Sequence, residues 1–296
     1  MSMRTLGSSA AVILAIVGPA VLADQLDVTV AALEKLGARV SREEKAPGRP
    51  VTRVALSSTE AGDAELALVQ GLTTLEDLDL EGRPVTDAGL ARLAGLSDLQ
   101  ELDLSRTKIT DAGLPNLLGL SHLRQLDLSR TNVTVEGLRH ITGMKGLQIL
   151  DLEKTAIGDE DLPVLQGFSV LRAVRLRRTA VTDEGLKHLR PIASLEEVDL
   201  GHTDVTGAGL ARLVALPRLR KLELEATQVG DEGLEALQSF PALTSLDLSD
   251  TKVTDAGLAK IRGVRSLTFV KISGDKVTDS GIDDLKKALP DCIVFR

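Results

Sequence analysis

The chain has 296 residues and a formal net charge of −8, and 43% of its residues are hydrophobic. This composition is typical of a folded protein and excludes a disordered chain. Aromatic residues make up only 1%, with no Trp and no Tyr, so the best platforms for stacking on bases are missing, and the negative charge repels phosphate. We therefore expect no nucleic-acid partner.

Residues 1–23 have the pattern of a secretory signal peptide. Arg4 supplies the positive charge at the start, and the apolar stretch over 10–17 is too short to span a bilayer. Gly18-Pro19 interrupts this stretch, and small residues stand before Asp24, where signal peptidase needs them. A buried first helix is the alternative, but the apolar residues run all round the segment. We therefore predict a periplasmic or extracellular protein whose mature chain begins at Asp24 and has no membrane span.

The segment Asp24–Arg42 predicts an amphipathic helix that caps one end of the core. Its apolar residues recur at steps of four, three, three and four, which places them on one helical face. They are Leu26, Val30, Leu33, Leu36 and Val40. Two prolines and a glycine in residues 45–50 then forbid a helix, so we divide 24–50 into a capping helix and a linker.

Residues 51–290 consist of ten copies of a 24-residue repeat, without an insertion. We number the places of a repeat from its first residue, so that Leu75 is place 1 of the second copy. Apolar residues at places 4 and 6 have the spacing of a strand, and those at places 16, 19 and 22 that of a helix. A unit this small cannot bury its own apolar side, so the copies must stack. Residues 291–296 place Val294 at place 4 and predict a short closing strand.

A Thr-Asp-x-Gly element at places 12–15 joins strand to helix, as in Thr86–Gly89. Its Thr or Asp can cap the start of the helix, and its Gly lets neighbouring copies approach closely. Thr at place 9, such as Thr107, is predicted to turn inward and to bind the backbone at the end of the strand. Departures from the Thr-Asp-x-Gly pattern include the first copy, which has Gly62-Asp-Ala-Glu65, and the residues Val135, Asp161 and Gly207.

These residues resemble a leucine-rich repeat of the form LxxLxLxxT followed by [IV]TDxGL, over 51–290. The pattern is most similar to exported bacterial proteins built of such repeats, and distantly similar to the cysteine-containing repeats of F-box proteins, with Thr where those often carry Cys. The resemblance implies an α/β solenoid with parallel strands on the concave side and short helices on the convex side. It also implies protein binding in general. A role as an adaptor of the F-box type is a weaker alternative, because no F-box-like segment stands before the repeats.

No pattern typical of a catalytic or metal site occurs in the sequence. There is no Gly-rich phosphate loop, Gly-x-Ser-x-Gly or His-Glu-x-x-His motif. His140 and His188 share place 18, but they lie two repeats apart, about 10 Å by strand spacing, which is too far to share a metal. Cys292 is the only cysteine, so no internal disulfide can form. We predict no enzymatic activity, no metal site and no cofactor.

Places 3, 5 and 7 of each strand are predicted to point outward on the concave side. Place 5 forms an acidic column that Arg175 interrupts, with Arg177 and Arg178 beside it. The acidic residues are either the habitual filler of this repeat or a binding surface, and a basic row at place 8 could neutralise them. Asp151 and Asp199 are expected to flank Arg175. The candidate partner contacts are Asp103, Asp127, Asp151, Arg175, Arg177, Arg178, Asp199 and Glu223.

The sequence thus predicts an exported, non-enzymatic scaffold that binds a protein on its concave face. Three alternatives remain open: an acidic surface that collects divalent cations, a structural component of the cell envelope, and an enzyme whose chemistry the motifs do not reveal.

Overall fold

A computed structural model describes residues 19–214, 216–274 and 276–296. Residues 1–18 of the predicted signal peptide lie outside this part of the chain. The described strands form one twelve-stranded sheet in which β1 to β12 follow one another in chain order. β1 is antiparallel to β2, whereas the later strands run parallel to one another.

The strands are short, and each repeat contributes one of them. They are β1 (Arg39–Arg42), β2 (Val51–Ala55), β3 (Asp77–Asp79), β4 (Glu101–Asp103), β5 (Gln125–Asp127), β6 (Ile149–Asp151), β7 (Ala173–Arg175), β8 (Glu197–Asp199), β9 (Lys221–Glu223), β10 (Ser245–Asp247), β11 (Phe269–Lys271) and β12 (Ile293–Phe295).

Helices alternate with the strands, and some of them are of the 3-10 type. The α-helices are α1 (Pro19–Lys35), α2 (Leu66–Val69), α3 (Asp87–Leu90), α4 (Val135–Ile141), α5 (Asp183–Leu186), α6 (Gly207–Leu213), α7 (Asp255–Ile261) and α8 (Asp279–Ala288). The 3-10 helices are η1 (Leu114–Gly119), η2 (Asp159–Gly167) and η3 (Asp231–Ser239). The predicted α/β solenoid is therefore confirmed.

The core is a stack of leucines, valines and isoleucines that occupy equal places in successive repeats. Leu78 at place 4 lies opposite Leu102 in the parallel register, and Leu102 lies opposite Leu126. Leu176 at place 6 has no exposed surface. Because each apolar side chain meets its counterparts in the neighbouring repeats, one continuous core runs through the solenoid. Val294 lies opposite Val270, as the repeat register predicts.

The N-terminal cap differs from the helix predicted over Asp24–Arg42. The helix α1 ends at Lys35, and Gly37 has a φ of +90°, a conformation that glycine adopts readily. The chain then reverses and forms β1, in which Val40 lies opposite Val54. Leu36 is 39% exposed and so does not belong to the buried stripe. The cap is thus a helix followed by an antiparallel strand that closes the end of the sheet.

The Thr-Asp-x-Gly element links each repeat to the next by hydrogen bonds. The carboxylate of Asp63 accepts the backbone N–H of Thr86 at 2.8 Å and its hydroxyl at 2.6 Å. The Thr86 side chain also accepts the N–H of Ala88, so it caps its own helix. Gly89 lies against the same carboxylate, where a Cβ would overlap with an oxygen of Asp63. Equivalent Asp–Thr pairs are Asp87–Thr110, Asp111–Thr134, Asp159–Thr182, Asp183–Thr206, Asp231–Thr254 and Asp255–Thr278.

The departures from the Thr-Asp-x-Gly pattern are coordinated between repeats. Where Val135 replaces the Asp, the next repeat has Gly158 in place of Thr, and Asp161 of that same repeat accepts the N–H of Gly158 at 2.8 Å. Glu65 accepts the N–H of Gly62 in the same way in the first repeat, which has no repeat before it. In these two repeats an acid at place 15 thus supplies the acceptor that a preceding repeat does not. The repeat after Gly207 has Gly230 at place 12 but no such acid, because its place 15 is Gly233.

Replacing Gly89 with alanine is expected to lower the free energy of unfolding by about 1–3 kcal/mol, because the new Cβ displaces the carboxylate of Asp63 from its bonds to Thr86. Gly95 in the same repeat is the control, because a Cβ there would meet no atom within 4 Å. Alanine at Gly95 should leave stability unchanged or raise it by up to about 1 kcal/mol. Chemical denaturation of both variants measures the difference, and equal stabilities would contradict a role for the inter-repeat bonds.

Candidate functional site

One face of the sheet carries side chains at places 3 and 5, and we call it the open sheet face. It corresponds to the predicted concave side. Place 3 contributes Arg53, Asp77, Glu101, Gln125, Ile149, Ala173, Glu197, Lys221, Ser245 and Phe269. Place 5 contributes Ala55, Asp79, Asp103, Asp127, Asp151, Arg175, Asp199, Glu223, Asp247 and Lys271. Equal places lie opposite one another on adjacent strands, for example Asp103 and Asp127.

The aspartates at place 5 have a structural role that the sequence analysis missed. Asp103 accepts the backbone N–H of Ser105 at 2.8 Å, which fixes the turn after the strand. The same bond forms at Asp79, Asp127, Asp151, Asp199 and Asp247. An Asp two residues before a turn is a common way to satisfy a backbone donor. The two interpretations given for these acids, a habitual filler or a binding surface, both leave out this role in the turn.

Places 7 and 8 belong to the turn rather than to the open sheet face. Ser105 and Ser129 at place 7 are only 5% and 7% exposed. The side chain of Glu81 at the same place is 48% exposed, so the prediction that place 7 points outward fails at the serines but not at Glu81. The basic row at place 8 adopts left-handed backbone conformations, with a φ of +57° at Arg106. Its side chains pair with glutamates at place 7 rather than with the acidic column. These pairs are Arg106–Glu81, Arg130–Glu153 and His202–Glu225.

Arg175 lies on the open sheet face, and acids on both neighbouring strands pair with it. Its guanidinium is 3.5 Å from the carboxylate of Asp151 and 3.5 Å from that of Glu197. Asp199, which was expected to flank Arg175, bonds instead to the N–H of Gly201 and is only 5% exposed. The acids that flank Arg175 are therefore Asp151 at place 5 of one neighbouring strand and Glu197 at place 3 of the other.

The other two arginines of the predicted cluster do not join Arg175. Arg177 pairs with Glu225 at 3.1 Å, two repeats further along the chain. Arg178 occupies the turn at place 8, with a φ of +57°. The structure thus brings together Asp151, Arg175 and Glu197, and it separates Arg178 from them.

The C-terminal half of the open sheet face neutralises its own charges. Lys221 lies 3.3 Å from Glu197 and 2.7 Å from Glu223. Lys271 lies 2.9 Å from Asp247. Together with the pairs of Arg175, these contacts give a row of alternating charges from β6 to β11.

The N-terminal half has far fewer basic partners. Arg53 pairs with Asp77 at 2.9 Å. Among the residues that the structure describes, Glu101, Asp103 and Asp127 have no ion pair within 4.0 Å. Burial raises the pKa of Asp127 to about 6, and the charge of Asp151 adds to this rise. Carboxylates in this half therefore repel one another without a cation between them.

Asp199 and Glu223 form a second carboxylate pair at place 5 of β8 and β9, where they lie opposite each other. Burial raises the pKa of Asp199 to about 7, and the negative charge of Glu223 raises it further, while the N–H of Gly201 opposes the rise. The carboxyl of Asp199 therefore binds a proton more readily than an ordinary Asp carboxyl.

Residues 19–214, 216–274 and 276–296 contain no group of three or more His, Cys, Asp or Glu side chains placed to hold a metal ion. Cys292 is buried, and its burial raises the pKa of the thiol. None of the described helices is both long and apolar enough to cross a membrane.

The stacked strand–turn–helix units in one sheet define a repeat solenoid. Models of the leucine-rich repeat match residues 97–157, 193–214, 216–237 and 241–261. The chain is a leucine-rich repeat protein. A search of curated protein sequences finds no match.

Two solved structures with this fold come from proteins of different length. The internalin C2 structure from Listeria monocytogenes has 21% sequence identity and a TM-score of 0.53, with 85% of this chain and 92% of that chain covered. The structure of PEPR1–AtPEP1 has 15% identity and a TM-score of 0.50, with 85% of this chain covered. This chain spans about a third of that second protein, since 35% of it is covered. At these identities the likeness shows the fold alone.

Proposed function

We propose that this protein is an exported, non-enzymatic scaffold that binds another protein on its open sheet face. The observation that carries the proposal is that carboxylates on this face are left without an ion pair among the described residues, and that one of them has no side-chain hydrogen bond either. Glu101 at place 3 is exposed and has no ion-pair partner among the described residues. The fold uses place 5 to hold its turns, but it makes no such use of Glu101, which therefore remains available to a partner.

Two further points support the proposal. The solved structure of PEPR1–AtPEP1, which has this fold, contains PEPR1 together with AtPEP1. As part of the proposal, we infer that this chain also binds another molecule, and that this molecule is a protein. Charged, half-buried side chains on a sheet also suit recognition of a polar protein surface better than that of an apolar ligand. Export rests on the signal-peptide pattern of residues 1–23, and we propose that the mature chain starts at Asp24.

Photocrosslinking from two positions in one repeat tests the proposed face. A crosslinking amino acid at Gln125 lies on the open sheet face, and one at His140 lies on the exposed side of α4. We expect a saturable crosslink to a protein of the native compartment from Gln125 and none from His140. Equal crosslinking from both positions, or crosslinking from His140 alone, would contradict the proposal. Mass spectrometry of the exported protein checks the start at Asp24.

A further inference from the structure

The open sheet face is divided into two halves of different electrostatic character. From β6 to β11 the acids of this face, apart from Asp199, are paired with Arg175, Lys221 or Lys271. From β3 to β5 the described residues offer a cation only to Asp77, through Arg53. The two halves share the same repeat and the same places, so the difference comes from the side chains and not from the backbone.

The unpaired stretch has a cation at each end. Arg53 on β2 stands before it, and Arg175 on β7 stands after it. Arg39 on β1 adds an exposed positive charge at the N-terminal edge of the same recess, which Ser41, Asp79 and Gln125 also line. Cations at both ends repel a basic ligand, whereas the carboxylates between them attract it. The charges therefore define a bounded strip of the sheet face, not merely an excess of acid.

The strip has a definite length. Asp79, Glu101, Asp103 and Asp127 lie on three adjacent strands, which span about 10 Å at the usual strand spacing. An extended polypeptide advances about 3.3 Å per residue, and its side chains on one face recur about every 6.7 Å. Two or three basic side chains within about five residues would match this span.

We infer that the partner presents a short extended segment with two or three Lys or Arg residues, and that this segment lies across β3 to β5 between Arg53 and Arg175. This inference rests on the proposed function and assigns the chemistry of the partner. Side chains of Lys and Arg supply the donors that Glu101, Asp103 and Asp127 lack, and Arg pairs with carboxylates in a bidentate manner. Binding would also relieve the repulsion between Asp103 and Asp127, which lie opposite each other.

The first test uses a fluorescein-labelled pentalysine peptide, blocked at both ends, with a pentaglutamate peptide for comparison. Fluorescence anisotropy at low ionic strength and about pH 7.5 keeps screening small. We expect the full-length protein to bind pentalysine and not pentaglutamate. We expect the triple variant Glu101→Gln, Asp103→Asn, Asp127→Asn to weaken pentalysine binding about tenfold or more. Asparagine retains an acceptor for the turn N–H, so the variant should keep its melting temperature.

A matched variant removes the same number of carboxylates from the paired half. It carries Glu197→Gln, Glu223→Gln and Asp247→Asn. We expect this variant to bind pentalysine within about threefold of the unmodified protein, because its acids already have basic partners. An equal loss in both triple variants would show a general effect of net charge and would overturn the inference.

A third variant tests the boundary of the strip. Arg53→Gln leaves Asp77 without its basic partner and removes a repulsive charge, so pentalysine should bind more tightly. Weaker or unchanged binding would contradict the boundary.

If pentalysine does not bind while Gln125 still crosslinks to a protein, the inference fails and the proposed function stands. If pentalysine binds with the expected pattern but Gln125 crosslinks to nothing, the proposed function fails.

Discussion

Replacing Leu176 with alanine is expected to lower the free energy of unfolding by about 2–5 kcal/mol, through lost apolar contacts and the cavity left behind. Leu176 has no exposed surface and lies at place 6 of the sixth repeat, with Leu152 and Leu200 at the same place on either side. Both neighbours are also fully buried, so neither can move into the cavity without leaving its own position. Chemical denaturation followed by circular dichroism measures the loss.

A leucine elsewhere in the solenoid provides the control. Leu118 is 50% exposed on the helix side, and alanine there should cost less than about 1 kcal/mol. A loss below about 1 kcal/mol at Leu176 as well would mean that the stacked leucines do not form the main source of stability.

The free energy of unfolding is expected to rise by about 2–4 kcal/mol when the pH falls from about 8 to about 5. The pKa of Asp199 is raised to about 7 and that of Asp127 to about 6, both chiefly by burial, whereas an Asp in the unfolded chain has a pKa of about 3.9. Between these values the folded protein binds more protons than the unfolded chain. Stability is therefore gained as the pH falls through the folded pKa and is lost as the pH rises.

Asp199→Asn isolates this effect from other titrating groups, such as Glu225, whose pKa is lowered by Arg177 and which acts in the opposite direction. The variant should be more stable than the unmodified protein at about pH 8, and this advantage should shrink by about 2–3 kcal/mol between about pH 8 and about pH 5. Asp247→Asn is the control, because Asp247 makes the same turn bond but pairs with Lys271. A pH profile of the Asp199 variant that matches the unmodified protein would contradict the assignment.

Much of the fold could be predicted because its period is carried by apolar residues. Leu78 and Leu80 have the spacing of a strand, and their equivalents recur in register, so the stacking direction follows from the chain alone. The antiparallel strand β1 was missed because Val40 also continues the helical spacing of Val30 and Leu33. Only Gly37, with its positive φ, separates the two structures, and one glycine is a weak signal in sequence.

The candidate face was located from the sequence, but its charge pairing was not. Side chains at place 3 reach those at place 5 of the next strand, so Glu197 and not Asp199 pairs with Arg175. Spacing shows which places share a face, but it does not show which of two acids a guanidinium selects. That choice is visible only in the side-chain distances, which bring Glu197 within 3.5 Å of Arg175. The structure was likewise needed to show that Glu101 is exposed on the open sheet face and that Arg178 lies in the turn at place 8.

The hydrogen bonds between successive Thr-Asp-x-Gly elements set a rule for which repeats can be joined. Removal of 99–122 would bring Asp87 against Thr134, which is a compatible junction because every deleted bond is replaced by an equal one. Removal of 123–146 alone would bring Asp111 against Asp161, two like charges with no threonine between them. Units 123–146 and 147–170 must therefore be lost, duplicated or exchanged together. The chain is built of interchangeable modules, but some of its modules are two repeats long.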